Sequence, residues 1–278
     1  MAAVAVVTDS TACLPATLAA RSGIRVVPLR IVAGGLAADD GPPACGGALG
    51  AQIRRGARLT TASPAPERFA RVYADAAAAG AAAVVSVHVS AGLSGTVNAA
   101  RLAAGGAPVP VRVVDSRSLG MGLGFAALSA AEAAQAGGNL DAVAAAASVR
   151  SARLRSFFVL DTLDQLSAGG RLGPSGPGRG LTFRPLLHLA DGRVAVLEKL
   201  RTRSGAARRM EEAAAEYAAG QPVDVAVLYL GPAEPGRALA GRLEALIPGA
   251  RHRYLAEASP VIQAHTGPGM LGVVVAPY

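Results

Sequence analysis

Ala82-Ala83-Val84-Val85-Ser86-Val87-His88-Val89 runs straight into Ser90-Ala91-Gly92-Leu93-Ser94-Gly95-Thr96, and an alanine-rich helical pattern follows. The first stretch has the length and valine content of a buried strand, and small polar residues mark its end. Two other runs repeat the form: Val4–Thr8 leads into Asp9-Ser10-Thr11, and Val111–Val114 into Asp115-Ser116. Strands alternating with helical stretches predict a parallel sheet covered by helices. Ligands of such sheets bind beyond the carboxyl ends of the strands, so a site is expected along that edge. Ser, Thr and Asp at these junctions also make good helix N-caps, and capping alone explains any single one of them.

The second half reads differently. Phe157–Leu160, Leu186–Leu189, Arg193–Lys199, Val223–Leu230 and Gly272–Val275 predict strands, with helices near Gly205–Ala219 and Gly236–Leu246. Ala190-Asp191-Gly192-Arg193 has the form of a hairpin turn. Fewer helices separate these strands, which predicts a mixed or antiparallel sheet. The expectation is therefore an α/β protein of two domains: residues 1–155 around a parallel sheet in an α/β/α arrangement, and residues 156–278 around a mixed sheet. Gly169–Gly180 reads as a glycine- and proline-rich loop within the second.

Composition narrows the function classes. A chain of 278 residues with 51% hydrophobic content can bury a large core, and its length suits one large domain or two ordinary ones. Met1–Val7 lacks the basic start and cleavage site of a secretory signal and reads as the first strand. Ala76–Val89, interrupted by Gly80, Ser86 and His88, falls short of the roughly 20 apolar residues of a membrane span. Cys13 and Cys45 have no Cys or His companion at metal-ligand spacing, which suggests neither a zinc site nor a disulfide framework and fits a reducing cytoplasm. The formal charge of +8 comes from scattered arginines, Lys199 being the only lysine, and aromatics make up 4%. That pattern argues against nucleic-acid binding and is compatible with transient contact with an anionic membrane or an acidic partner.

Candidate chemistry gathers at the strand ends. Gly92-Leu93-Ser94-Gly95-Thr96 misses the nucleophile elbow of a hydrolase because Thr96 stands where a glycine belongs. A serine hydrolase using Ser94 and His265, with Asp9 or Asp115 as the acid, is the rival reading. A strand leading into Ser-Gly-Thr at a helix start is a good anion cradle, since hydroxyls and N–H groups point at the incoming charge. Gly122–Ala127 matches a relaxed dinucleotide fingerprint but lies past the strand end and reads as a tight helix start. The glycines from Gly170 to Gly180 lack the Lys-Ser/Thr ending of a P-loop. His88 and His188 sit in apolar runs and read as structural, whereas His265 precedes a Gly-Pro-Gly turn. Thr60 and Thr61 precede the Pro64–Pro66 turn, where threonine is often only a cap.

These stretches together resemble the DegV family, whose members look like lipid-binding subunits of bacterial fatty acid kinases. Val7-Thr8-Asp9-Ser10-Thr11 resembles the family opening, and Val27-Pro28-Leu29 its second strand. Thr61-Ala62-Ser63-Pro64-Ala65-Pro66 resembles its Thr-Ser-Gln-Pro-Ser-Pro segment, keeping the threonine and both prolines. Ser90–Thr96 resembles its Ser-x-x-Leu-Ser-Gly-Thr loop, and Val114-Asp115-Ser116 the next strand end. Gly169-Gly170-Arg171, Lys199–Arg203 and His265-Thr266-Gly267-Pro268-Gly269 resemble the signatures of the second domain.

The resemblance implies a bound fatty acid such as palmitate, stearate or oleate, its carboxylate in the interdomain cleft near Thr61, Ser94, Gly95 and His265. It implies no other cofactor, no metal and no turnover by this chain alone. Phosphorylation of the carboxylate, a step in phospholipid metabolism, is implied to fall to a partner subunit that brings ATP. Arg201 corresponds to a partner-contact position, and Arg171 to the glycine-rich loop near the site. Two departures stand out: residues 34–56 are Gly/Ala/Pro-rich and poorly matched, and Ala62 and Ala65 replace two serines.

Overall fold

In the computed structural model the described residues are 3–41, 47–55, 57–172 and 183–278. The three landmark runs become β1 (Val4–Asp9), β6 (Ala83–His88) and β7 (Val111–Asp115), which join β2 (Ile24–Val27) in a parallel sheet of order β2-β1-β6-β7. Valine-rich strands suit a sheet buried on both faces. One face packs Val7, Val27 and Val84 against Phe69, Tyr73 and Ala76 of α3 (Pro66–Ala78) and Ala99, Ala100 and Ala103 of α4 (Thr96–Ala104). Strand alternation sends Val6, Val85 and Val87 to the opposite face, and α5 (Met121–Gln135) packs there on β1 and β6.

Gly122–Ala127 lies inside buried α5, as a helix start rather than a nucleotide loop. A Cβ on Gly124 would stand 3.0 Å from the carbonyl oxygen of Ala12, so this glycine lets the helix press against the 3-10 turn Ser10–Ala12. Short α1 (Ala16–Arg21) precedes β2, and α6 (Leu140–Arg153) closes this part of the chain.

The poorly matched segment holds a structure that periodicity did not reveal. β3 (Arg30–Ala33) and β4 (Leu36–Asp39) form a hairpin around Gly34 and Gly35, both at positive φ (57° and 80°), and β5 (Leu59–Ala62) pairs with the other side of β3. Two positive φ values define the tight hairpin turn that two glycines adopt without strain. Leu29, Ile31 and Ala33 pack with Leu49 of α2 (Gly47–Arg54) and with Val261 from far along the chain.

The chain divides into two compact units. The first runs to Ala152 and includes Ser259–Ala264; the second comprises Arg153–Ala258 and His265–Tyr278. The second unit is built on a six-stranded mixed sheet of order β10-β9-β8-β13-β11-β12. Its strands are β8 (Arg155–Val159), β9 (Arg184–Ala190), β10 (Arg193–Leu200), β11 (Val223–Tyr229), β12 (Ala250–Glu257) and β13 (Leu271–Pro277). Among the paired strands of this sheet in the described residues only β11 and β12 run parallel, and β12 is the strand the sequence pattern did not announce. The hairpin at Asp191-Gly192 has φ values of 51° and 75°. Met210, Ala213 and Ala214 of α8 (Arg203–Ala218), and Leu239 and Leu243 of α9 (Ala233–Leu246), cover Val225, Val227, Val273 and Val275. Short α7 (Asp164–Ala168) precedes the glycine-rich loop, of which residues 173–182, including Pro174–Pro177, lie outside the described residues.

Candidate functional site

A buried polar network lies under the edge of the parallel sheet. Asp9 accepts hydrogen bonds from the Thr11 N–H (3.1 Å) and hydroxyl (2.5 Å) on one oxygen, and from the Val89 N–H and His88 Nδ1–H (3.0 Å each) on the other. His88 Nε2 meets the Ser86 hydroxyl at 2.6 Å, and the Tyr73 hydroxyl donates to Ser86 at 2.9 Å. Asp9, Tyr73, Ser86 and His88 have no solvent exposure, so a buried carboxylate and imidazole are tolerated here because each is hydrogen-bonded. Burial pushes the Tyr73 phenol up to about 12. Asp9 thereby ties the end of β1 to the end of β6, and holds the first residue of the next loop.

The Ser90–Thr96 loop is held from several sides. Ser90 N–H donates to the Ser118 carbonyl (2.9 Å), Asp115 Oδ1 accepts from Ala91 N–H (3.2 Å), and Ser90 Oγ accepts from Gly92 N–H (3.2 Å). Leu93 and Ser94 N–H both donate to the Ser90 carbonyl (2.9 and 3.1 Å). Ser94 Oγ, half-buried, lies 2.8 Å from Thr96 Oγ1 and 3.1 Å from Ser63 Oγ, and it accepts from Thr96 N–H at 3.3 Å. Gly95 is the N-cap of α4, exposed, and its N–H has no partner among the described residues. A free N–H at the positive end of a nine-residue helix beside hydroxyls is a place for an anion. Thr61 lies on β5 opposite Ile31, two residues before Ser63, so its role as a turn cap gives way to a place in a sheet.

Ser63 is the residue that sequence reasoning missed. Its contact with Ser94 spans 31 positions along the chain, and no periodicity reports such a contact. The paired prolines just after it were the available signal, because they stop the strand at that point.

The second unit carries His265, near the end of α10 (Pro260–Thr266), a helix whose earlier residues belong to the first unit. Partial burial, and secondarily the nearby Arg171 guanidinium, hold the His265 imidazole down at about 4, so it is neutral at pH 7. Arg171 itself donates to the Gly169 carbonyl at 2.8 Å. The turn after His265 is tightly occupied: Gly267 and Gly269 have φ of 71° and 75°, and a Cβ on Gly269 would stand 2.0 Å from Asp161 Oδ2. Arg203 pairs with Asp161 and donates to the Gly269 carbonyl at 2.6 Å. Within the Lys199–Arg203 signature, then, Arg203 braces this turn while Arg201 stays exposed.

The serine and the acids of the rival triad are engaged locally. Among the described residues the Ser94 hydroxyl bonds to Ser63 and Thr96, Asp9 is committed to His88, and Asp115 Oδ1 accepts backbone N–H groups from Ala91 and Arg117. Among the described residues no helix is long and apolar enough to cross a membrane, and no cluster of His, Cys, Asp and Glu could hold a metal ion. Cys13 is a buried free thiol, pushed up to about 12 by desolvation, and Cys45 lies outside the described residues.

Fold and edge define a two-unit α/β protein whose parallel sheet ends in a donor-rich surface of hydroxyls and N–H groups. The family model described as "Uncharacterised protein, DegV family" matches residues 3–278, and the chain belongs to the DegV family. A DegV domain-containing protein of Streptomyces coelicolor is 48% identical over 98% of both chains. A DegV family protein from Thermus thermophilus, whose structure is described as fatty acid binding, superposes with a TM-score of 0.88 at 35% identity, covering 99% of this chain and 100% of that one. DegV of Bacillus subtilis, described as a fatty acid binding protein, gives 0.88 at 27% identity over the whole of both chains.

Proposed function

We propose that this chain binds a long-chain fatty acid and presents its carboxylate to a partner subunit that brings ATP. Thr61, Ser94, Gly95 and His265 are the residues assigned to the carboxylate in this reading. The observation that carries the reading is the unpartnered Gly95 N–H beside the Ser94 hydroxyl at the start of α4. The fatty acid binding described for the Thermus thermophilus and Bacillus subtilis relatives supports it. A neutral His265 supplies one N–H donor without the desolvation cost of a buried cation, and charge-assisted bonds from hydroxyls and N–H groups offset the cost of burying the carboxylate. The acyl chain contributes roughly 0.8 kcal/mol per buried methylene, so the chain supplies affinity and the head group sets orientation.

In the kinase step a carboxylate oxygen attacks the γ-phosphorus of ATP, ADP leaves, and an acyl phosphate forms. This chain contributes orientation and takes no proton. A step that consumes ATP places the protein in the cytoplasm, and its net charge of +8 favours transient contact with anionic membrane surfaces as lipid is exchanged. Arg171 and Arg201 are the proposed partner contacts; exposed Arg201 is the better placed of the two to be changed without disturbing the lipid.

Native mass spectrometry of the purified protein, followed by organic extraction, tests the reading. The expected result is one fatty acid per chain, reduced in Ser94→Ala and His265→Ala. Delipidated protein that takes up no long-chain acid refutes the proposal.

A further inference from the structure

Three hydroxyls form a row: Thr96 Oγ1, Ser94 Oγ and Ser63 Oγ, separated by 2.8 and 3.1 Å. Three O–H protons and two links leave one proton over, and burial decides where it is. Thr96 has no solvent exposure, and Ser94 is its only side-chain partner among the described residues. A buried hydroxyl proton aimed at nothing is costly, so Thr96 donates to Ser94. Ser94 Oγ also receives the Thr96 N–H at 3.3 Å, which fills both of its lone pairs. Its own proton therefore goes to Ser63, and Ser63, half-buried and without another partner among the described residues, holds the unspent one. The row has a direction, from the interior outward.

We infer that Ser63 is a further head-group residue: the hydroxyl at the outward end of the Thr96–Ser94–Ser63 row, whose free proton is donated to the ligand carboxylate. Ser94 relays and polarises; Ser63 presents. Ser63 lies near Gly95, whose N–H has no partner among the described residues, since a Cβ built on Gly95 would stand 3.4 Å from Ser63 Oγ. One carboxylate can then receive a hydroxyl and an amide proton together, and donation along a chain of hydroxyls strengthens the terminal bond. The inference rests on the fatty-acid reading above, and it identifies a residue that neither the sequence pattern nor that reading includes.

The test measures the affinity of delipidated protein for oleate and for oleyl alcohol, in the wild type, Ser63→Ala and Ser63→Thr. Loss of a hydrogen bond to a charged group predicts about tenfold weaker oleate binding in Ser63→Ala. Because a bond to a carboxylate is roughly twice as strong as one to a neutral oxygen, the preference for acid over alcohol should also shrink. A merely structural change would weaken both ligands alike. Ser63→Thr keeps the hydroxyl and should bind oleate within a few-fold of wild type. If the wild type binds oleate and Ser63→Ala matches it in affinity and in acid preference, the inference is overturned while the fatty-acid reading stands. A wild type that binds no oleate overturns both.

Discussion

His88 and His265 stand in opposite circumstances. His88 is fully buried, flanked by Ser86 and Asp9, and stacked edge-on against Phe69 with ring centroids 5.0 Å apart. His265 is half-buried at a helix end, held neutral by its surroundings, before a turn that Asp161 and Arg203 brace. The first histidine is part of a foundation; the second is the one proposed to face a ligand. Side-chain type says nothing about this difference. What separates them is surroundings: His88 is enclosed in a fully buried network of hydrogen bonds, whereas His265 is only partly buried.

The contrast can be broken at its strongest point. Asp9→Ala would leave His88, Thr11 and the Val89 N–H without their shared acceptor. A loss of about 3–5 kcal/mol of stability is expected, because several buried donors are left unsatisfied at about 1–3 kcal/mol each. Urea denaturation measures it, and a loss under about 1 kcal/mol would show that the network is not a foundation.

A smaller effect is expected at the other histidine's turn. Gly269→Ala places a methyl on top of Asp161 Oδ2 at a backbone φ of 75°, so Asp161 must swing away from Arg203. About 1–3 kcal/mol should be lost through strain and the broken brace, seen as a lower melting temperature. Unchanged melting would mean that the brace carries no energy.

The smallest effect is a pH dependence. His265 titrates at about 4 in the folded chain against 6.5 ordinarily, so between those values the unfolded chain binds the extra proton. Its contribution is therefore constant above pH 6.5 and is lost as pH falls toward 4. His265→Gln should flatten this part of the stability profile, measured by urea midpoints at pH 7 and pH 4.5. A parallel profile in the variant would show that Arg171 and burial do not act on this ring.

Much of the fold was legible because strand ends and helix starts are local. Val4–Thr8, Ala82–Val89 and Val111–Val114 each became parallel strands, and Asp191-Gly192 became the turn of a hairpin. β12 escaped because the consecutive Arg251, His252 and Arg253 put polar side chains on both faces of an edge strand, so it shows no apolar run. The β3–β5 sheet escaped because its strands are four residues each and their alanines carry little strand signal. Ser259–Ala264, late in the sequence, clusters with the first unit through contacts such as Val261 with Ile31, which no linear division of the chain can express.

Sequence by itself determined the α/β class, the edge where strands hand over to Ser94 and Gly95, and the resemblance that the family match bears out. Local patterns suffice for these, because strand length, helix starts and loop motifs are written in neighbouring residues. The tertiary structure alone decided which polar groups are spent and which are free. Asp9 meets His88 across 79 positions and Ser63 meets Ser94 across 31, so the direction of a row of hydroxyls depends on burial, which only the folded chain creates.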